Sequence, residues 1–266
     1  MNYGSLNNVI CQSFVLEYSL GCRKRVEALL KRIDKKERFI LDVGSSTGNY
    51  LLTPNERSCD FLCLDLSKPA LALLKRKAEK KRKSRISFLR ADAQRTPFRS
   101  DVFDDIVAGD VMEHLPHDVD FLVEMARTLK PRGILVLSVP HGKRLTAFDL
   151  RAGHIRRYTK NALITLTQTA GLAPLETVYW GFPMIRAYDE LVSLILRKNG
   201  GKDFASRADV NFLRKLAKSG VFRLYLLLLP LLWRASQIDD WLKTCRKGQW
   251  LILSATKVTE LRKEVG

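Results

Sequence analysis

Short apolar runs alternate with stretches of helical spacing along the first two thirds of the chain. The runs at 39–43, 61–64, 86–89, 105–108 and 134–139 are each followed within three residues by glycine, aspartate or proline. Runs of this length are typical of strands buried in a parallel sheet. Alternation of such strands with helices predicts a parallel sheet that is covered on both faces.

Two further strands are predicted at 175–179 and 250–256, and a helix at 15–33 leads into the first strand. We expect Arg23, Lys24 and Arg25 on the exposed side of that helix. The predicted fold is α/β: a Rossmann-like seven-stranded, mostly parallel sheet with helices on both faces and a helical insertion before the last strand. The core domain comprises 1–180 and 249–266. Residues 181–248 form the insertion, where basic residues outnumber acidic ones.

Composition and charge restrict the classes of partner, the kinds of site and the compartment that we expect. The 266 residues include 46 Lys+Arg against 28 Asp+Glu, a formal charge of +18, which favours an anionic substrate, lipid or nucleic acid as a partner. Five cysteines without paired C-x-x-C spacing argue against a zinc site or a disulfide scaffold and favour a cytoplasmic location. Met1 to Asn8 lack the pattern of a signal peptide. The apolar run at 224–233 is shorter than the ~20 residues that span a bilayer.

Chemically useful residues follow three successive strands. After the first strand come Asp42 and the small residues 44–48, which let the backbone approach a ligand. Asp65 ends the second strand, a position suited to binding ribose hydroxyls, and Asp92 follows the third, where it can accept from an exocyclic amine. Ligands of open parallel sheets bind at the carboxyl ends of the strands, so the sequence predicts a binding site there.

Six segments carry a resemblance to a known family: LDVGSSTGNYL (41–51), CLDLS (63–67), LRADAQRTPF (89–98), FDDIVAGDVMEHLPH (103–117), LKPRGILVLSVP (129–140) and GHIRRYTKNALITLTQTAGL (153–172). The sequence resembles the class I S-adenosylmethionine-dependent methyltransferases, specifically the type 11 branch that includes ubiquinone- and menaquinone-pathway enzymes. The resemblance implies S-adenosyl-L-methionine as cofactor.

By position, the resemblance places the methionine part of the cofactor on the glycine-rich loop, the ribose on Asp65, and the adenine on Asp92. The family usually has a glycine where this chain has Ser46, and serine fits if its φ is negative. The implied cofactor contacts are Asp42, Gly44, Ser46, Gly48, Asp65, Leu66, Asp92, Ala93, Asp110 and Val111.

Histidines suggest how the acceptor is activated. A hydroxyl acceptor needs a base, whereas an amine only has to be neutral. His141 and His154 follow the fifth strand, and Tyr158 lies four residues after His154. These three are the candidate catalytic residues, although a structural role, in which His154 and Tyr158 only hold the loop over the cofactor, is favoured. Transfer to oxygen is therefore slightly favoured over transfer to nitrogen, on a small or amphipathic acceptor.

The run Asp110-x-x-Glu113-His114 resembles one that can hold a divalent cation in quinone-pathway O-methyltransferases. The Glu-His-Leu run is also common in metal-free relatives, and no metal is predicted here.

Other functions remain open. An RNA or nucleic-acid methyltransferase is the main alternative, but the Asn/Asp-Pro-Pro-aromatic run after the fourth strand is missing, and the basic helix at 75–85 is interpreted as a solvated face. A catalytically inert binding module is the other alternative. The apolar segment 221–234 fits a helix lying on anionic lipid, a lid, or a dimer seam. The acceptor is expected to be a small or lipid-like, anionic molecule, and the protein a monomer or homodimer.

Overall fold

The computed structural model describes residues 20–33, 38–48, 59–80, 85–188, 190, 220–242 and 244–258. Parts of three predicted features lie outside these ranges: the start of the leading helix, the basic residues 81–84, and the middle of the insertion at 191–219.

Seven strands form one sheet in the order β3-β2-β1-β4-β5-β7-β6. Strands β1 to β5 pair in parallel, and β7 runs antiparallel to both β5 and β6. The predicted fold class is confirmed. The strands are β1 (Phe39–Val43), β2 (Asp60–Asp65), β3 (Ile86–Arg90), β4 (Phe103–Gly109), β5 (Leu129–Pro140), β6 (Leu172–Trp180) and β7 (Trp250–Lys257).

Helices connect these strands. They are α1 (Leu20–Leu30), α2 (Lys68–Lys80), α3 (Asp118–Thr128), α4 (Ala147–Ala152), α5 (Lys160–Thr169), α6 (Gly220–Ala235) and α7 (Ile238–Trp241), with a 3₁₀ turn at Met112–His114. The fifth strand is predicted at 134–139, but β5 begins earlier, at Leu129. Gly133 makes this continuation fit, because a Cβ there would lie 2.6 Å from the carbonyl oxygen of Asp104.

Hydrophobic side chains fill both faces of the sheet. On one face, α3 and α5 bury Phe121, Met125 and Leu163 against β4 and β5. On the other face, α1 and α2 bury Leu29 and Leu74 against the central strands. Burial on both faces explains why the strands are short and almost continuously apolar.

Helix α6 and the short helix α7 lie between β6 and β7 in the sequence. Leu229, Leu232 and Trp233 of α6 pack against the same core as α1. The buried carboxylate of Asp239 accepts hydrogen bonds from the backbone N–H groups of Met184 and Ile185, at 2.8 and 2.9 Å. These contacts attach the described part of the insertion to the sheet, while the division into two domains stays a prediction.

Candidate active site

The loop after β1 begins at Gly44, which has a φ of +64°. Its N–H and that of Ser45 both donate to the carbonyl of Leu64, at 2.8 and 3.1 Å. A Cβ on Gly44 would lie 2.4 Å from a methyl carbon of Val111. Only glycine fits at this position, because a side chain would be both strained and in collision with the loop after β4.

Ser46 does not have the negative φ that we expected. Its φ is +46°, in the left-handed region. This conformation directs the Ser46 N–H to Oδ2 of Asp65, at 2.8 Å. Since the left-handed region costs a non-glycine residue about 1–2 kcal/mol, the bond to Asp65 helps to hold the loop in a strained shape.

Asp65 joins two backbone segments at the end of β2. Its Oδ1 accepts from the N–H of Ser67, at 2.7 Å, while Oδ2 accepts from Ser46. Burial raises the pKa of Asp65, and these backbone donors partly oppose the rise. Each carboxylate oxygen has a further lone pair, so Asp65 can also accept from ligand hydroxyls.

The other predicted cofactor contacts near Asp65 differ in their exposure to solvent. Leu66 is exposed, and Asp92 is exposed at the end of β3, where its Oδ1 accepts from the N–H of Gln94 at 2.9 Å. Ala93 is buried. Strands β1, β2 and β3 are neighbours in the sheet, so the three acidic strand ends lie along one edge.

Asp42 is the most unusual group of this edge. The residue is fully buried, and neither carboxylate oxygen has a hydrogen-bond partner among the described residues. Burial, followed by the charge of Asp65, raises the pKa of Asp42 well above its ordinary value. A buried acid without a partner is costly, and it fits a position where a bound polar group or an ordered water completes the contacts.

Asp110 at the end of β4 is paired. One carboxylate oxygen accepts from the hydroxyl of Ser138, at 3.1 Å, and the other binds the guanidinium of Arg25 from α1. The same guanidinium lies 4.3 Å from the centre of the Trp250 ring. Lys24 and Arg25 are buried, at 6% and 7% exposure, so the expectation that they lie on the exposed side of the leading helix was wrong. No signal in the helix spacing marks Arg25, because its partner follows 85 residues later.

His154 lies beside the loop after β4, at 9% exposure. Its Nδ1 is 2.8 Å from Oδ1 of Asp149, and its Nε2 is 3.8 Å from Oε1 of Glu113. Although burial alone would raise the pKa of Asp149, hydrogen bonds from Arg157 and Thr146 lower it to about 2. The ionised carboxylate can only accept, so Nδ1 carries the proton and the lone pair of neutral His154 is on Nε2.

Sequence reasoning missed Asp149. The local signal for this residue is the run from Thr146 to Asp149, which forms a capping box at the start of α4. The Thr146 side chain accepts from the Asp149 N–H, and the Asp149 carboxylate accepts from the Thr146 N–H. These two hydrogen bonds hold the carboxylate of Asp149 in position beside His154. Gly153, whose φ is +82°, ends α4, so His154 follows directly after the helix and contacts Asp149.

Glu113 is fully buried, and neither of its oxygens has a hydrogen-bond partner among the described residues. Burial, followed by the charge of Asp110, raises its pKa well above the ordinary value. The donor atoms of Glu113, His114 and His154 lie within 4.8 Å of one another. His154 thus takes the place of Asp110 in the ligand set considered from the sequence, and the absence of a metal stays a prediction.

Tyr158 and His141 mainly connect loops. Tyr158 is buried, its hydroxyl donates to the carboxylate of Asp118 at 3.1 Å, and burial together with that charge raises its pKa. Nδ1 of His141 is 3.0 Å from the carbonyl of Gly248, and its ring packs edge-on against Tyr179. These contacts favour a structural role for both residues, and their catalytic assignment stays a prediction.

Comparisons with known proteins find similarity to methyltransferases. Residues 41–137 match the model of a family described as a methyltransferase domain. Over these residues the chain is similar to the class I S-adenosylmethionine-dependent methyltransferases. Demethylmenaquinone methyltransferase of Thermus thermophilus is 31% identical over 125 residues, which cover 46% of this chain and 56% of that protein. The chain spans about half the length of most of the curated relatives that it matches.

Solved structures show the methyltransferase fold more widely. The [4+2]-cyclase SpnF has a TM-score of 0.61 at 20% identity, over 89% of this chain and 80% of that one. Phosphoethanolamine N-methyltransferase 2 of Haemonchus contortus, in complex with S-adenosyl-L-methionine, has a TM-score of 0.60 at 20% identity, over 89% of this chain and 53% of that one. Since a cyclase is among the matches, these structures establish the fold alone.

The cofactor of the methyltransferase family is S-adenosylmethionine, and the residues present fit it. Gly44 leaves a cradle that a Cβ would fill, and Asp42 has buried oxygens without a partner in the described part of the chain. The loop 44–48 would hold the methionine part, Asp65 the ribose hydroxyls, and Asp92 the adenine amine.

Proposed function

We propose that this chain transfers the methyl group of S-adenosylmethionine to a hydroxyl-bearing acceptor, a small or amphipathic molecule. The observation that carries the proposal is the buried pair of Asp149 and His154, which lies against the loop between Asp110 and Glu113 at the end of β4. A histidine oriented by an ionised carboxylate has the arrangement of a general base.

The cofactor supplies a sulfonium methyl group, which is already an electrophile. Nε2 of His154 takes the proton of the acceptor hydroxyl as the oxygen attacks the methyl carbon. Bound S-adenosylmethionine would supply the methyl group to the acceptor oxygen and would leave as the neutral thioether. The charge of Asp149 fixes the tautomer of His154 and stabilises the imidazolium that results.

The acceptor class follows from the need for this base. An amine only has to be neutral before it attacks, whereas a hydroxyl is a poor nucleophile until its proton is removed. A base that ionises a phenol-type hydroxyl also makes the neighbouring ring carbon nucleophilic, so the same pair supports transfer to oxygen or to carbon. Relatives named demethylmenaquinone methyltransferase make quinol-type acceptors a reasonable first group to assay.

The test compares wild type with His154→Gln and Asp149→Asn, using radiolabelled methyl donor and pools of hydroxyl- and amine-bearing acceptors. We expect labelled product from the hydroxyl pool. Removal of the base should lower kcat by roughly 10²–10⁴, with unchanged affinity for S-adenosylmethionine. Asp149→Asn should also lower kcat, because it removes the carboxylate that fixes the tautomer of His154.

His117→Gln is the matched control, since His117 is exposed and the hydrogen bonds found for it are made by its backbone: its N–H donates to Gln94 and its carbonyl accepts from Phe121. Its kcat should equal that of wild type. Product from the amine pool alone, or full kcat in His154→Gln, contradicts the proposed base. Cofactor binding without any transfer would identify an inert binding module.

A further inference from the structure

Helix α6 and the short helix α7 carry apolar side chains on both their inner and outer sides. Leu229, Leu232 and Trp233 pack inward against the core. On the outer side, Leu227 is 77% exposed, Leu231 is 65% exposed, and Trp241 is 86% exposed. A surface helix of a globular protein normally presents polar residues to water, so an outer side of this kind indicates a partner.

Several apolar side chains of this segment are exposed. Leu227 and Leu231 are one turn apart on α6, Ile238 begins α7, Leu242 follows it, and all four are exposed. Between the two helices the backbone forms a tight turn, in which the Gln237 N–H donates to the carbonyl of Arg234 at 3.1 Å. We call these four apolar residues, together with Leu228 and Trp241, the outer apolar face.

The fully exposed charged residues described at the end of α6 and after α7 are basic. Arg234 at the end of α6 is exposed, as are Arg246 and Lys247 after α7. The acidic residues of α7 are engaged elsewhere, because Asp239 is buried and caps the backbone near 184, and Asp240 pairs with Lys31 at 3.6 Å. Two copies of this face would bring like charges together, whereas an anionic lipid surface complements both the leucines and the cations.

We propose that the outer apolar face docks on an anionic lipid bilayer, with the leucines and Trp241 at the acyl boundary and the cations among the headgroups. In the described part of the chain, no helix is long and apolar enough to cross a membrane. An exposed apolar side with cations beside it is the arrangement of a helix that lies on a membrane surface. Docking does not depend on the proposed methyl transfer.

The outer apolar face is linked to the candidate active site through two helices. The Trp233 ring on the inner side of α6 lies 4.1 Å from the ammonium of Lys24, and the next residue of α1, Arg25, binds Asp110. A bilayer on the outer side of α6 is thus separated from Asp110 by α6 and by α1.

Vesicle sedimentation of the full chain tests the proposal. The probes are vesicles of phosphatidylcholine mixed with phosphatidylglycerol and vesicles of phosphatidylcholine alone. Wild type should sediment with the mixed vesicles and much more weakly with the neutral ones. The double variant Leu227→Ser/Leu231→Ser should lose about 100-fold in partitioning, from the apolar burial of two leucines. Arg246→Gln/Lys247→Gln should lose about 30-fold, from two headgroup contacts.

Leu175→Ser is the matched control, since Leu175 is 58% exposed on β6, away from the outer apolar face. It should bind the mixed vesicles like wild type. Circular dichroism and melting temperature establish that each variant is folded. Wild type that stays in the supernatant, or binding that survives in the leucine double variant, overturns the proposal. A dimer that this double variant converts to monomer, in the absence of vesicle binding, assigns the face to a second copy.

Discussion

Asp42→Asn should stabilise the protein while weakening its binding of S-adenosylmethionine. The residue is fully buried, and its carboxylate has no partner among the described residues. Asparagine keeps the shape and removes the charge. The stability of the variant without ligand therefore measures the cost of burying the charge, and its affinity for S-adenosylmethionine measures what the charge contributes to binding.

The magnitude follows from linkage. Burial raises the pKa of Asp42 in the folded state above its ordinary value of 3.8. A raised folded pKa means that the stability contributed by the protonated acid is fully present below 3.8 and is lost as the pH rises through the folded pKa. The loss accumulates at about 1.4 kcal/mol per pH unit within that window. Near neutral pH we expect a penalty of about 3 kcal/mol, the cost of an unsatisfied buried charged group.

Thermal unfolding without ligand measures this penalty. Since 1 kcal/mol corresponds to about 2–4 °C for a chain of this size, Asp42→Asn should melt roughly 6–12 °C above wild type near neutral pH. The difference should shrink as the pH falls towards 3.8, the ordinary value. In calorimetry, the variant should bind S-adenosylmethionine more weakly than wild type. Equal melting temperatures at every pH would refute the reasoning, because an exposed or partnered carboxylate carries no such penalty.

Two further variants probe the site. Gly44→Ala should abolish cofactor binding and lower the melting temperature, because its Cβ would lie 2.4 Å from Val111 and the φ of +64° is strained for alanine. Unchanged affinity in calorimetry would show that this loop does not hold the cofactor. Arg25→Gln should destabilise the fold by about 3 kcal/mol in urea unfolding, the low end for breaking a buried pair, because it leaves Asp110 without its charged partner. Arg186→Gln, which removes a pair with Glu190 between two exposed side chains, should cost about 0–1 kcal/mol. Equal losses in the two arginine variants would contradict the buried role of Arg25.

Much of the fold could be predicted because its signals are local. The bounds of β1 match the predicted run from Phe39 to Val43, since a short apolar run ending in glycine has few alternatives. The cap at Thr159 is a local signal of the same kind, since its side chain accepts from the N–H of Ala162. Such signals depend on residues within one turn of each other, which a single sequence contains in full.

The candidate site was predicted less completely, because several of its contacts join distant parts of the chain. Arg25 of α1 pairs with Asp110 after β4, and Glu113 lies close to His154, which belongs to a different loop. Ser46 was expected at negative φ, but its hydrogen bond to Asp65 favours the left-handed region. Each of these outcomes depends on tertiary contacts that residue spacing does not encode.

Calorimetric titration with S-adenosylmethionine, on wild type and on Asp65→Ala, tests the central claim most directly. Asp65 connects the loop after β1 to the start of α2 and is assigned to the ribose hydroxyls. Two hydrogen bonds to a charged group are worth about 3 kcal/mol, so the variant should bind at least about 100-fold more weakly. Saturable binding by wild type with this loss supports a working methyltransferase site. Equal affinity in the two proteins, or no binding by wild type, contradicts it.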